Sequence, residues 1–314
     1  MRRILSSIGA LSLALLFVDG RATGQPPPGS QLPNPRLTVL TPCGGKAGTT
    51  VEVAFAGTDL EDPKALTFSH PSIKAEPIQP PPPPPPDPKK PAPPPPKPPI
   101  TKFKVTIAAD APVGNHDVRF VGRYGVSNPR VFVVGDLPEV MEKEPNNDVA
   151  EAQRVELNTT ITGAIAAPTD VDYFVFAGKK GQRVLANCLA TTIDSRLRPG
   201  IEIYDRHGKQ LAAGRDYQGH DALADLTLPE DGDYYVRLFE FTHTLGSPEH
   251  FYRLTLSTGP WIDAVHPCVV QPGKPTQVTV FGRNLPDGKP DPAAVVAGRV
   301  LEKIVVTVNP PNDP

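Results

Sequence analysis

Asp170-Val-Asp-Tyr-Phe-Val-Phe176 and Pro229-Glu-Asp-Gly-Asp-Tyr-Tyr-Val-Arg-Leu238 decide the reading of the fold. In both, apolar residues recur at every second position, the period of a strand with one buried face. The same alternation runs outward through 155–165, 182–190, 201–204, 222–228 and 251–257. Turn sequences such as Gly178-Lys-Lys-Gly181, Asp205-Arg-His-Gly208 and Asp231-Gly232 separate these segments. The pattern predicts core positions at Phe174, Phe176, Val184, Ala186, Cys188, Ile201, Ile203, Leu226 and Leu228. It predicts them also at Tyr234, Val236, Leu238, Tyr252, Leu254 and Leu256. Seven or eight short strands without a long helix make a sandwich or jelly roll over 142–259.

Ahead of the first strand stands Glu142-Lys-Glu-Pro-Asn-Asn-Asp148, followed by a short helical turn at Ala150-Glu-Ala-Gln153. These three motifs, in this order, resemble the bacterial pre-peptidase C-terminal (PPC) domain. The resemblance implies a compact β-sandwich of the kind appended to secreted peptidases and other exported proteins. It implies a non-catalytic role in adhesion, substrate targeting or spacing. In calcium-binding members, oxygens of the leading segment meet an Asp-x-Asp at a strand start. That nominates Glu142, Glu144, Asn146, Asn147, Asp170 and Asp172 as calcium ligands, and calcium takes six to eight hard oxygens. The alternative is a solvated linker and helix cap at Glu144, Asn146 and Asn147, with Asp170 and Asp172 serving a turn. No other cofactor is expected.

The sequence also repeats itself without gaps at an offset of 225 residues, Thr41 falling on His266. Pro42/Pro267, Cys43/Cys268, Gly48/Gly273, Val53/Val278, Gly57/Gly282 and Leu60/Leu285 coincide. The repeated unit is a Pro-containing start, a Gly turn, an alternating strand and a second Gly turn. In the first copy it continues through Phe103–Ile107 and Gly114–Val121 and closes with Gly125-Val-Ser-Asn-Pro-Arg-Val-Phe-Val-Val134. This resembles the immunoglobulin-like IPT/TIG domains of bacterial surface and secreted proteins, here over 37–135. The second copy, 260–314, stops before any counterpart of the closing strands. A sandwich without its last strands exposes a core face. Either the chain is the N-terminal piece of a longer protein, the favoured expectation, or this unit pairs with another chain.

Within the first copy lies Pro80–Pro99, in which 15 of 20 residues are proline. Such a run adopts polyproline II and acts as a stiff spacer or an expanded loop. Strand-like sequence flanks the insert, 79–100, on both sides, so it interrupts a domain. At the N-terminus, Met1-Arg2-Arg3, an apolar run and Ala22-Thr23-Gly24 predict a signal peptide over 1–24. A disordered Pro/Gly/Ser-rich leader follows over 25–36. No later segment reaches about 18 apolar residues, so no membrane span is expected in the mature chain.

Composition narrows the function further. With 32 basic against 34 acidic residues, no basic excess is available for nucleic acid. Forty-two prolines disfavour helix-rich enzymes. Cys43 and Cys268 occupy equivalent places in separate units, and Cys188 lies between them; buried structural thiols are expected. None of the seven histidines stands in His-Glu-x-x-His. Ser127 lacks the second glycine of a nucleophile elbow. His207 reads as part of a turn, and Asp216, His220 and Asp221 as a loop tip.

The expectation is therefore an all-β chain of tandem sandwiches, exported to the periplasm, cell surface or medium. It would act as a non-catalytic binding or scaffold protein in adhesion or substrate targeting. The alternative is the accessory region of a secreted peptidase or other hydrolase. An extracellular protein or a polysaccharide is the expected ligand. Carbohydrate binding suits the fold, yet Trp261 is the single Trp and the sequence offers no evident aromatic platform.

Overall fold

The computed structural model describes residues 32–81 and 98–312; the expected signal peptide, most of the leader and most of the proline-rich run lie outside the described residues. The described residues form a succession of β-sheets with two single-turn 3-10 helices, as the alternation requires. Among the described residues no helix is long and apolar enough to cross a membrane.

The first sandwich contains β1 (Arg36–Thr41), β2 (Gly44–Lys46), β3 (Thr50–Thr58), β4 (Ala65–Phe68) and β5 (Ile73–Pro77). It continues with β6 (Lys102–Ile107), β7 (Gly114–Gly122), β8 (Gly125–Val126) and β9 (Arg130–Gly135). One sheet has the order β1-β3-β6-β5; the other is β2-β9-β7-β4, with β8 paired to β7. Leu37, Val53, Phe103, Val105, Val118, Phe120 and Phe132 from both sheets meet in one core. Strands β5 and β6 are antiparallel neighbours, with Pro77 opposite Phe103. The proline-rich insert thus connects two adjacent strand ends of one sheet.

The central sandwich begins with β10 (Glu139–Met141), the 3-10 turn Val149–Glu151 and β11 (Gln153–Arg154). Next come β12 (Thr159–Ala164), β13 (Val171–Gly178), β14 (Arg183–Leu189) and β15 (Pro199–Asp205). It ends with β16 (Gln210–Gly214), β17 (Ala222–Thr227), β18 (Gly232–Glu240) and β19 (Phe251–Ser257). The sheets are β10-β12-β19-β14-β17 and β11-β13-β18-β15-β16. Their facing sides bury every core residue expected from the alternation, except that Leu226 packs against the core only partly buried. β10 and β16 carry little alternation and are absent from the sequence reading. β10 exists because it pairs in parallel with β12, Glu139 opposite Thr160.

The third unit is a single sheet of β20 (Trp261–His266), β21 (Thr276–Arg283), β22 (Lys289–Val296) and β23 (Arg299–Val308), in the order β20-β21-β23-β22. It reproduces the β1-β3-β6-β5 sheet strand for strand. The register irregularity also repeats, between Leu37 and Val39 in the first copy and between Ile262 and Ala264 in the second. Gly57 and Gly282 recur for one reason. A Cβ on Gly57 would lie 1.9 Å from the Arg36 carbonyl oxygen, and one on Gly282 2.1 Å from that of Trp261. Leu37 is 1% exposed beneath its second sheet, while its counterpart Ile262 is 56% exposed. Cys43 and Cys188 are buried and Cys268 is exposed, which corrects the expectation for the third thiol. With no second sheet over it among the described residues, the repeated position lacks the layer that encloses Cys43.

Polar and apolar contacts join the units. Asp194 of the central sandwich accepts from Val131 N–H (2.9 Å) of the first, and Ile193 and Phe251 of the central sandwich belong to the first core. Arg253 of β19, held within the central sandwich by Glu139 through both terminal guanidinium nitrogens (2.8 and 2.5 Å), lies against Gly44. On the other side Asp225 forms ion pairs with Arg183, Arg283 and Arg299. Arg183 also reaches Glu302 (3.0 Å), and Arg283 reaches Asp263 (3.2 Å).

Candidate metal centre

The leading segment, Glu142 to Asp148, runs on from β10 and is bound to the central sandwich at several points. Glu142 N–H donates to Thr162 O (2.9 Å), and Tyr173 N–H donates to Asn146 O (2.8 Å). These bonds carry Glu142, Glu144 and Asn146 over the end of β13, where alternation turns Asp172 inward with Phe174 and Phe176. One oxygen each of Glu142, Glu144 and Asp172 lies within 4.8 Å of the others.

Asp172 and Asn146 are fully buried. Turned one way, the Asn146 amide donates to Asp172 Oδ1 (3.3 Å) and Glu144 Oε2 (3.0 Å); turned the other way, its oxygen faces both carboxylates. The second orientation is favourable only with a cation between the oxygens or a proton on one of the carboxyls. No arginine or lysine forms an ion pair with Glu142, Glu144 or Asp172 among the described residues. A buried carboxylate without a counter-charge is strongly disfavoured. Burial, and then the neighbouring Glu142, push the Asp172 carboxyl up from 3.8 to about 9. Burial raises Glu142 as well.

Tyr252 completes the floor. Its hydroxyl lies 2.7 Å from Glu142 Oε2 and 2.5 Å from Asp172 Oδ2. One hydroxyl proton serves only one of these short contacts, so in the metal-free protein the second needs a proton on a carboxyl. Glu142 Oε1 accepts from Ala164 N–H (2.8 Å). Gly163 makes room: a Cβ there would sit 2.1 Å from Glu142 Oε2 and 2.4 Å from the Tyr252 hydroxyl. Three carboxylates and a buried amide oxygen are a hard-oxygen donor set, the kind calcium takes.

The six nominated residues therefore divide. Glu142, Glu144, Asn146 and Asp172 converge. Asn147 turns instead to Asp170, reaching Asp170 Oδ1 (2.6 Å) and Val171 O (2.9 Å) when its amide donates. Asp170 also accepts from Ala166 N–H (2.7 Å), and it is not one of the three converging acidic groups. Sequence reasoning passed over Tyr252 and Gly163. Tyr252 alternates with Leu254 and Leu256 and so reads as core; nothing in the sequence pairs it with Glu142.

The residues weighed for catalysis have other work. Ser127 Oγ accepts from Phe120 N–H (3.0 Å) and donates to Asn128 O (2.7 Å). Asp221 is buried and accepts from Ala190 N–H (3.0 Å) and the Thr191 hydroxyl (3.1 Å), organising the second 3-10 turn. Asp205 accepts from His207 N–H (2.8 Å) and Lys209 N–H (3.0 Å) within its turn. His220 pairs with exposed Asp216 (2.9 Å).

No family model matches the chain. It is 35% identical over 106 residues to a probable subtilase-type serine protease of Deinococcus radiodurans, a match covering 33% of this chain and 15% of that protein's length. Among solved structures it is similar to the pre-peptidase C-terminal domain of a Bacillus anthracis collagenase, at 20% identity and TM-score 0.29, covering 37% of this chain and 99% of that one. It is also similar to the protein SGBP-B of a Bacteroides ovatus mixed-linkage glucan utilization locus, at 11% identity and TM-score 0.25, covering 89% and 67%. The chain resembles pre-peptidase C-terminal domain proteins, and the three ordered motifs of its central sandwich carry that resemblance.

Proposed function

We propose that this chain is a non-catalytic binding and spacing region of an exported protein, stiffened by calcium at Glu142, Glu144, Asn146 and Asp172. The observation that carries the reading is the convergence of three carboxylates, one of them the buried Asp172, with no basic partner among the described residues. A cation there would tie the segment leading out of the first sandwich to the body of the central one. The ligand is an extracellular protein or a polysaccharide, bound on units joined by shared core packing on one side and by ion pairs on the other. Calorimetric titration of the intact chain with calcium tests the clamp. Heat and a raised melting temperature are expected at millimolar calcium; neither would appear if the cluster holds no metal. A pull-down from envelope polymers and matrix proteins, with and without chelator, tests the binding role, and a chain that retained nothing in either condition would refute it.

The 35% identity to a probable serine protease supports a second reading, that the chain is the accessory region of a secreted peptidase. The two readings separate on the encoding locus beyond residue 314. A peptidase or hydrolase domain favours the second, and further repeats or an anchor favour the first.

A further inference from the structure

A cleft of about 510 Å³ lies where all three units meet, and it is distinct from the carboxylate cluster. Its volume falls within the range of ordinary ligand sites, which favour such junctions. The floor is the outer face of the β12-β19-β14 sheet. There Thr160, Thr255 and Asn187 stand side by side, Thr255 being the cross-strand partner of both others. Adjacent strands are about 4.8 Å apart, so the row offers evenly spaced polar groups. Ser257 and Asn158 form the next row toward the third unit, and Trp261, the chain's one Trp, closes that end. Residues 133–137 of the first sandwich and its outgoing segment supply the opposite wall.

The floor of the cleft is uncharged. Arg253 is neutralised by its two bonds to Glu139, which leaves Asp136 as the single other ionisable side chain at the rim. The polar groups are hydroxyls and amides with spare capacity. Thr160 and Thr255 share one hydrogen bond (2.9 Å), and each hydroxyl keeps a further lone pair. Asn158 Oδ1 accepts from Thr258 N–H (2.9 Å), and its NH2 group makes no hydrogen bond among the described residues. The Asn187 amide takes no part in either arrangement. The walls are fixed, since Asn284 Nδ2 donates to Arg183 O (3.0 Å) and Thr258 O (3.1 Å) across the central–third joint.

We propose that this cleft binds a neutral oligosaccharide, with a sugar ring against the Trp261 indole and ring hydroxyls on Asn187, Thr255 and Asn158. A neutral sugar offers an apolar C–H face and a rim of hydroxyls that both donate and accept. That matches one aromatic wall and an uncharged amide–hydroxyl floor, whereas an anionic ligand would find no free counter-charge and a cationic one only Asp136 at the rim. Groups already held by strands and interunit bonds lose little freedom on binding. This deepens the reading of the chain as a binding region and rests on it.

Because Trp261 is the sole Trp, its emission reports the cleft directly. The intact chain is titrated with cellohexaose, laminarihexaose and xylohexaose, with hexagalacturonate and gelatin as charged and protein controls. A saturable change in emission with a neutral hexasaccharide, and none with either control, is expected. Asn187→Ala and Thr255→Val should each weaken binding about tenfold, a 1.4 kcal/mol loss. Melting temperature and its calcium shift should stay unchanged in Asn187→Ala. Silence toward all three neutral sugars, an equal response to hexagalacturonate or gelatin, or wild-type affinity in both variants would overturn the assignment. If the pull-down succeeds while these titrations stay silent, the cleft assignment fails and the binding role stands.

Discussion

Tyr252 places its hydroxyl 2.5 Å from Asp172 Oδ2, joining a residue of one central sheet to a carboxylate of the other in the sandwich interior. The contact ties the candidate metal centre to the core, because Tyr252 packs among the same side chains as Phe174 and Leu254. Protonation, folding and the proposed cation binding therefore meet at one point.

The stability of the metal-free protein should depend on pH through Asp172. Its carboxyl rises from 3.8 to about 9 on folding, so the folded state binds more protons between those values. Stability then falls as pH rises through that window. Calcium needs the ionised carboxylates, so its stabilisation should grow in the same direction. Thermal melts from pH 5 to 9 should show the metal-free melting temperature declining, calcium raising it more at pH 8 than at pH 5, and Asp172→Asn flattening both trends.

Tyr252→Phe should destabilise the metal-free protein by about 1–3 kcal/mol, the usual penalty for stripping a buried polar group of its partner. With calcium saturating, the loss should shrink, because the cation then satisfies Glu142 and Asp172. Urea unfolding of both proteins with calcium and with chelator measures the difference.

Arg253→Ala should cost about 3–5 kcal/mol by leaving Glu139 without its partner in a largely buried pair. The guanidinium also packs against Gly44 of the first sandwich, where an added Cβ would lie 2.2 Å from Nη1. Arg253→Met with Glu139→Leu should recover much of the stability. Denaturant melts give the energies, and small-angle scattering should show a broader spread of interunit distances in Arg253→Ala alone.

Gly57→Ala and Gly282→Ala test the repeat. Each adds a methyl against the carbonyl of the equivalent residue, Arg36 or Trp261, and each should destabilise its sheet by about 1–3 kcal/mol. Hydrogen exchange should place the loss in β1–β3 for the first variant and β20–β21 for the second. Equal protection to wild type would show that the backbones do not approach as closely as described.

Much of the fold was legible in the chain because strand alternation is local. The period that turns Phe174 and Phe176 inward also turns Asp172 inward, so a buried acid was readable before any coordinates. The repeat likewise marked two units as alike, and the structure gives them one sheet order and one register irregularity. The short strands β10 and β16 left no such trace, since each is held by a neighbour distant in sequence rather than by its own pattern.

Sequence alone determined which residues face a core and which two sheets are alike, since period and identity are properties of neighbouring residues. Tertiary structure decided which partners meet. Glu142 reaches Asp172 through the parallel pairing of β10 with β12, Tyr252 arrives beneath them on β19, and Trp261 is carried to a cleft floored by Asn187. Those meetings depend on strand register and interunit ion pairs spanning many residues, and a two-residue period carries no information about either.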